Sequence, residues 1–246
     1  MSLWRTANPT LNAGTFTGAQ VSGEEAMTLR GTVNKSMVLL ALLVLASCWT
    51  WSQVTATPQL LRNTLWVSIA GLVFGFVTVF KKSWAPVTAP VYAVLEGVVI
   101  GSVSFIMEHQ YPGIVIQAVA LTFGTLFALL VLYSSRIIPV TENFKLGVVA
   151  ATGGIAILYL IDMALMFFGH RVPMIHESGT LGICFSLFVV VIAALNLVLD
   201  FDFIEKGSQT NQPKYMEWYA GFGLIVTLVW LYFEILRLLA KTRRRR

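Results

Sequence analysis

The sequence predicts an all-α fold, namely a polytopic membrane protein built as a bundle of seven transmembrane helices. Hydrophobic residues make up 57% of the 246 residues and charged residues only 12%, whereas about a quarter of a soluble domain is charged. Seven apolar segments approach the roughly 17–25 residues that a spanning helix needs. They lie at 37–54, 65–80, 91–107, 114–133, 146–168, 181–201 and 219–239. Because these runs are solid rather than alternating, their backbone groups are expected to bond within helices and not in a barrel.

Three regions follow from this pattern. We expect a polar N-terminal segment at 1–35, a transmembrane domain at 36–240 and a basic C-terminal tail at 241–246. The first apolar run begins too late for a signal peptide. The formal net charge of +5 equals the charge of the tail, which predicts contact with phospholipid headgroups rather than with nucleic acid.

Small residues predict where helices approach one another. Glycines four residues apart let two helix backbones pack closely in a membrane. Close packing is expected at two such pairs, Gly71 with Gly75 and Gly97 with Gly101, and also at the adjacent Gly153 and Gly154. Cys48 and Cys184 fall inside apolar runs without metal-binding spacing, so both are expected to be buried thiols and not a disulfide or a metal site.

The charges of the connections predict the orientation. Those on the N-terminal side carry six basic residues: Lys81, Lys82, Arg136, Lys145, Lys206 and Lys214. Those on the opposite side carry Arg62 and Arg171. The positive-inside rule therefore favours a cytoplasmic N-terminus. Seven spans would then place the basic tail outside, which the same rule disfavours, unless the polar stretch at 169–180 is re-entrant.

The most informative stretch is the end of the sixth apolar run. Asn196 and Asp200 are four residues apart, so on a helix they share one face. An amide oxygen beside a carboxylate can bind a cation or hold a titratable proton, and an ionisable group in a span is a functional-site hypothesis. The alternative is that Asp200, Asp202 and Glu205 mark the point where the helix leaves the membrane.

Further polar residues lie in the predicted spans or close to their ends. Glu96, Asp202 and Glu217 can lie at a depth similar to that of Asp200, because their segments begin or end on the same side. Two carboxylates that face each other in a dry bundle cannot both ionise readily, which would make the pair respond to pH. Their oxygens could also bind a hard cation such as calcium.

The acids toward the opposite side have simpler explanations. Glu234 can form an ion pair with Arg237 three residues later. Asp162 has no basic residue at such a spacing, so it should face the bundle interior, with a hydrogen bond to a tyrosine or the backbone, or else a role in permeation. Thr227, like Asn196, is expected to join helices.

Metal and catalytic motifs are lacking. The histidines His109, His170 and His176 are expected to be solvated residues of loops, too dispersed for a metal site. No nucleotide-binding loop, nucleophile elbow or zinc-protease motif occurs. We therefore expect neither an enzyme nor a resident cofactor.

Three stretches taken in order resemble the Bax inhibitor/YccA-like family of transmembrane Bax-inhibitor-motif proteins, in its bacterial branch. They are 92–101 (YAVLEGVVIG), 111–118 (YPGIVIQA), and 195–205 (LNLVLDFDFIE) with 231–237 (LYFEILR). The resemblance implies seven helices with the last one at the centre, in the bacterial inner membrane.

The resemblance also implies a function. Some members are pH-sensitive calcium leaks in which two aspartates, near the end of helix six and in helix seven, share a proton. Asp200 matches the first by its context. Glu234 matches the second, although it is a glutamate where the family has aspartate. The resemblance thus implies a cation (calcium) leak channel or transporter-like protein, with Asp200 as a transient calcium ligand. Another member modulates a membrane-bound AAA protease, so the alternative is a non-conducting regulator that binds a membrane protein partner.

Overall fold

The computed structural model describes residues 26–54, 59–170 and 172–244. Most of the expected polar N-terminal segment, at 1–25, and the last two residues of the expected tail lie outside the described residues. The helices within the described ranges are α1 (Leu29–Val54), α2 (Gln59–Phe80), α3 (Ala85–Gln110), α4 (Ile114–Ser134), α5 (Glu142–Phe167), α6 (Pro173–His176), α7 (Thr180–Gln209) and α8 (Met216–Arg244).

The predicted all-α membrane fold is confirmed. Seven of the helices in the described ranges are long and apolar enough to cross a membrane, and α6 is the short exception. A short 3-10 turn, Lys82–Trp84, joins α2 to α3. The four residues of α6 extend about 6 Å along a helix axis, too short a rise to enter far into a hydrocarbon core about 30 Å thick. The stretch at 169–180 therefore contains a helical turn and lends no support to a re-entrant segment.

The helices extend beyond the predicted apolar runs because hydropathy detects only the apolar part of a helix. α1 begins at Leu29, where the Gly31 amide donates to Thr28 Oγ1 over 2.9 Å. This is the hydrogen bond of a threonine N-cap. α3 begins at Ala85 with a proline in its first turn, a position that proline favours. At the other end of the chain, α8 continues to Arg244, so most of the expected tail is helical.

The chain forms two compact units. One comprises the described parts of Gly14–Pro112 with Phe203–Val226, and the other comprises those of Gly113–Asp202 with Thr227–Arg246. α7 and α8 each contribute residues to both units. α8 is the most buried of the seven spans, with 61% of the residues in its most apolar stretch buried, against 11% for α2. α2 therefore presents most of its apolar side chains to the surroundings, and the central position of the last helix stays a prediction.

In the unit that contains α1, α2 and α3, α3 packs against both of the other helices. A Cβ added at Gly97 would overlap the Leu43 carbonyl oxygen of α1, and one added at Gly101 would overlap the Ser47 carbonyl oxygen. The predicted close packing is therefore confirmed at this pair. Tyr92 of α3 packs edge-on against Phe222 of α8, with ring centroids 4.9 Å apart.

In the unit that contains α5, the core joins α5, α7 and the second half of α8. Ile155, Val189 and Ile192 form its centre, and Tyr159 and Trp230 pack against them. This core holds the polar residues of the candidate site in place.

Two sequence-based expectations are wrong. A Cβ at Gly153 or Gly154 would meet no atom within 4 Å, so this pair does not mark a close helix contact. Cys48 and Cys184 are free but exposed rather than buried. Both errors have one cause, because an apolar run shows that a residue lies in a span but not which face of the helix meets protein.

Gly97→Ala is expected to lower the free energy of unfolding by about 1–3 kcal/mol, the usual cost of overpacking. The matched control is Gly153→Ala, which adds its methyl group in open space and removes a helix-destabilising glycine worth up to about 1 kcal/mol. Thermal unfolding in detergent measures both variants. Equal melting temperatures for Gly97→Ala and the parent protein would contradict the close approach of α3 to α1.

The predicted orientation is tested at Ser83, an exposed residue of the 3-10 turn. In a background in which both native cysteines are replaced by serine, Ser83→Cys should resist an impermeant maleimide in intact cells and react after permeabilisation. Arg62→Cys, at the opposite end of α2, should react in intact cells. The reverse pattern would place the N-terminal side outside.

Candidate functional site

The face of α7 that carries Asn196 and Asp200 is buried. Their exposed fractions are 1% and 0%. The Asn196 Nδ2 atom donates to Thr152 Oγ1 of α5 and to the Ile192 carbonyl oxygen, over 2.8 Å each. A carbonyl oxygen only accepts, so this second bond fixes which way the amide points.

The oxygen atom of the same side-chain amide differs from its nitrogen atom. Among the described residues, Asn196 Oδ1 is buried and has no hydrogen-bond partner. Buried polar atoms are nearly always hydrogen-bonded to protein or ordered water. An amide oxygen in this condition, one turn before a buried carboxylate, is a place where water or a cation can bind.

Asp200 lies within α7 and not at its end. α7 continues to Gln209, and the residues around Asp200 in sequence, Leu199 and Phe201, are buried with it. Asp200 is therefore not a solvated side chain, and the point at which α7 leaves the membrane stays a prediction. Its carboxylate lies inside the protein, where a charge is costly unless protein, water or a cation stabilises it.

Asp202 has a different environment although it lies only two residues further along. Its Oδ2 atom is 3.2 Å from the Lys145 ammonium of α5. Lys145 is itself 3% exposed and also bonds Glu142 Oε1 over 3.0 Å. Asp202 is thus the acid of an ion pair that joins the second half of α7 to the start of α5.

Glu234 lies in a network between α8 and α5. Its Oε1 atom accepts hydrogen bonds from Tyr159 Oη over 2.9 Å and from Trp230 Nε1 over 3.3 Å. The Arg237 Nη1 atom donates to both carboxylate oxygens over 3.2 Å. The pair with Arg237 that the spacing predicts is confirmed. Arg237 also donates to Tyr159 Oη over 2.6 Å, so the tyrosine links guanidinium and carboxylate.

Asp162 of α5 fastens the segment that follows it. Its Oδ1 atom accepts from the Val172 amide over 2.8 Å, and its Oδ2 atom lies 2.8 Å from His176 Nε2. The hydrogen bond to the backbone agrees with expectation. The interpretation of His176 as a solvated loop histidine is wrong, because its ring is bonded to this buried carboxylate and lies in α6. His109 likewise lies in a helix, in the last turn of α3.

Glu217 and Glu96 belong to the other unit. Glu217 is fully buried and accepts from the Thr28 amide over 3.0 Å and from Thr28 Oγ1 over 2.9 Å. It also forms an ion pair with the Lys214 ammonium at 3.3 Å. A carboxylate at this place stabilises the N-terminus of α1. Glu96 is half-buried on α3, and its carboxylate is 3.7 Å from where a Cβ of Gly71 would lie. Thr227 is buried in α8.

No group of three or more histidine, cysteine or acidic side chains within the described ranges could hold a metal ion. A cation near Asp200 would therefore need neutral oxygens such as Asn196 Oδ1 for the rest of its coordination. Such mixed oxygen sets suit calcium, which takes backbone, amide and water oxygens beside carboxylates.

Sequence reasoning missed several residues of these networks. They are Thr152, Tyr159, Lys145, His176 and, near the end of α8, Lys241. The last had a local signal, because Glu234, Arg237 and Lys241 follow a spacing of three and four residues and so share one helix face. Lys145 also has a local partner in Glu142, three residues before it. Its contact with Asp202, like the contacts of Thr152, Tyr159 and His176, joins residues that no helix spacing brings together.

The spans and the buried polar networks within them define an integral, multi-pass membrane protein. The family model described as Bax inhibitor 1 like matches residues 8–244. The chain therefore belongs to the Bax inhibitor 1 like family. Searches of curated proteins and of solved structures found no match.

The network of Glu234 predicts strong coupling between that residue and Arg237. Arg237→Met is expected to lower the free energy of unfolding by about 1–3 kcal/mol, because it leaves a buried carboxylate with fewer donors. In a Glu234→Gln background the same change should cost less than about 1 kcal/mol. Unfolding in detergent measures this double-mutant cycle.

The control for that cycle is Arg30→Met, at an exposed position of α1, which should change stability by no more than about 0.5 kcal/mol. Additive effects of Arg237→Met and Glu234→Gln would contradict the ion pair.

Proposed function

We propose that the protein is a pH-sensitive cation leak channel or transporter-like protein of the bacterial inner membrane, with calcium as the favoured ion. The observation that carries the proposal is the buried face of α7. There a carboxylate with 0% exposure, Asp200, follows one turn after an amide whose Oδ1 atom has no hydrogen-bond partner among the described residues.

The chemistry of this face suits a cation. A carboxylate and an amide oxygen are hard ligands of the kind that calcium prefers. Acids inside a membrane-spanning helix are costly and are by default assigned to ion or proton pathways. Asp202, two residues further along, forms an ion pair with Lys145, whereas Asp200 lies on the buried face one turn after Asn196. Asp200 is the residue proposed to bind the ion.

The pH dependence follows from competition for the same oxygens. A proton on Asp200 removes the negative charge that attracts the cation, so protonation and cation binding exclude each other. Glu234 is the proposed second acid, by its resemblance to the paired acid of other family members. Its carboxylate is held in charge-assisted hydrogen bonds by Arg237, which are stronger than those between neutral groups.

Asp200→Asn is expected to abolish the pH dependence of calcium flux, because the amide cannot gain or lose a proton in this range. The measurement is calcium-dye flux into liposomes that hold the purified protein. The ratio of fluxes at about pH 5 and about pH 8, roughly the range in which a buried carboxyl titrates, should differ from one in the parent protein and approach one in the variant.

The matched control is Glu177→Gln, which alters an exposed acid between α6 and α7 and should leave that ratio unchanged. A ratio in Asp200→Asn equal to that of the parent protein would remove Asp200 as the sensor. No flux above that of empty liposomes, from folded parent protein, would contradict ion conduction.

The second candidate is a non-conducting regulator that binds another membrane protein. Three further acids favour this candidate, because each of them already contacts a basic or aromatic side chain. They are Glu234, Asp162 and Asp202. A regulator can keep such groups in a dry bundle, whereas a channel needs a continuous wet path. The absence of flux in the experiment above would favour this second candidate.

A further inference from the structure

Lys241 lies near the end of α8 and is only 5% exposed. Its ammonium donates to Ser186 Oγ over 2.8 Å, to the Gly182 carbonyl oxygen over 2.9 Å and to the Met174 carbonyl oxygen over 3.4 Å. We call these three oxygens the oxygen cradle. They come from α6 and from the first turns of α7, and all three are neutral.

A buried lysine in such surroundings is unusual. Buried charges are costly and are normally paired with an opposite charge. An ammonium group has three donors, and the cradle supplies three acceptors. Carbonyl and hydroxyl oxygens that replace the hydration shell of an ion are also the means by which proteins bind free monovalent cations. The cradle therefore has the chemistry of a monovalent cation site.

The nearest charges on the same face of α8 are already matched. Glu234 and Arg237 precede Lys241 by seven and four residues and share its helix face, and they form an ion pair with each other. The hydrogen bonds of the Lys241 ammonium are those to the neutral oxygens of the cradle, which sets Lys241 apart from Lys145 with its two carboxylate partners.

We propose that the oxygen cradle is a binding site for ammonium-type monovalent cations and that the Lys241 side chain is a tethered cation that fills it. By filling the cradle, Lys241 fastens α6 and the start of α7 to the end of α8. Asp162 fastens the same segment to α5 through the Val172 amide and His176. The segment between α5 and α7 is thus held at two points, one on each of two helices.

Chemical rescue tests the site directly. Lys241→Ala keeps Cβ and removes a fragment equivalent to n-propylammonium, so this ion should fit the emptied cradle. We expect Lys241→Ala to melt several degrees below the parent protein in detergent. Added n-propylammonium should raise the melting temperature of the variant and leave that of the parent protein unchanged.

Two control compounds separate the possible causes of rescue. 1-Propanol has a similar size without the charge, and tetramethylammonium has the charge without N–H donors. Neither should stabilise the variant. The control variant is Lys35→Ala, whose native ammonium lies 5.0 Å from the centroid of the Trp218 ring, and n-propylammonium should not raise its melting temperature.

Two results of the rescue experiment would overturn the proposal. Lack of rescue in folded Lys241→Ala, or equal rescue by 1-propanol, would overturn the proposal, because the site would then be an apolar slot for the lysine stem. If Lys241→Ala does not fold, Lys241→Met decides instead, since it keeps an unbranched stem and loses the charge. Lys241→Met should melt below the parent protein, and an unchanged melting temperature would likewise overturn the proposal.

A second measurement follows the fastened segment. The Met174 side chain is 38% exposed while its carbonyl oxygen belongs to the cradle, so Met174→Cys places a reporter there without changing an acceptor. In a background without the native cysteines, Lys241→Met should increase its rate of reaction with a thiol reagent several-fold. Equal rates would show that Lys241 does not hold the segment. The cradle holds its cation whether or not the protein conducts ions, so this test and the flux experiment can fail independently.

Discussion

The structure depends on the high cost of a charged group inside a span. In water an isolated carboxylate or ammonium is hydrated, but in a bilayer its stabilisation must come from protein groups or from trapped water. Glu234 is stabilised by Arg237 and Tyr159, and Asp202 by Lys145. The Glu234–Arg237 pair lies within α8, whereas the contacts of Tyr159 with Glu234 and of Lys145 with Asp202 each join two different helices. The need to stabilise charge therefore acts together with apolar packing in deciding which helices lie side by side.

The same constraint explains how much of the fold the sequence predicts. A segment that must cross hydrocarbon has to be apolar and long, so the seven spans are readable from composition alone. The helix ends cannot be read from composition, because a helix can include polar turns outside its apolar part. The turn capped by Thr28 at the start of α1 is an example. The face that each span turns to protein is also hidden. Gly97 meets α1 and Gly153 meets open space, although both are small residues in apolar runs.

For the candidate site, sequence separation decides what can be predicted. The Glu234–Arg237 ion pair follows from the spacing of three residues, which one helix turn enforces. Tyr159 bonds the same carboxylate from 75 residues away, and Ser186 meets Lys241 from 55 residues away. Those contacts arise only when α5, α7 and α8 have packed. Composition indicated which acids lie within spans but could not show which of them already have a partner.

Asp200 and Asp202 show how the helix assigns different roles to neighbouring acids. Two residues correspond to a rotation of about 200°, so the two carboxylates point to nearly opposite sides of α7. One meets Lys145 at the start of α5, and the other lies on the buried face with Asn196.

Two groups of oxygens in the same unit differ in what they bind. The cradle of carbonyl and hydroxyl oxygens holds the tethered ammonium of Lys241, whereas Asn196 Oδ1 has no hydrogen-bond partner among the described residues. A fixed cation suits a place where helices are fastened together. An amide oxygen that accepts no hydrogen bond from the described residues, one turn before a carboxylate, suits a cation that arrives and leaves. This difference is the physical reason to look for ion movement at Asp200 and for structural rigidity at Lys241.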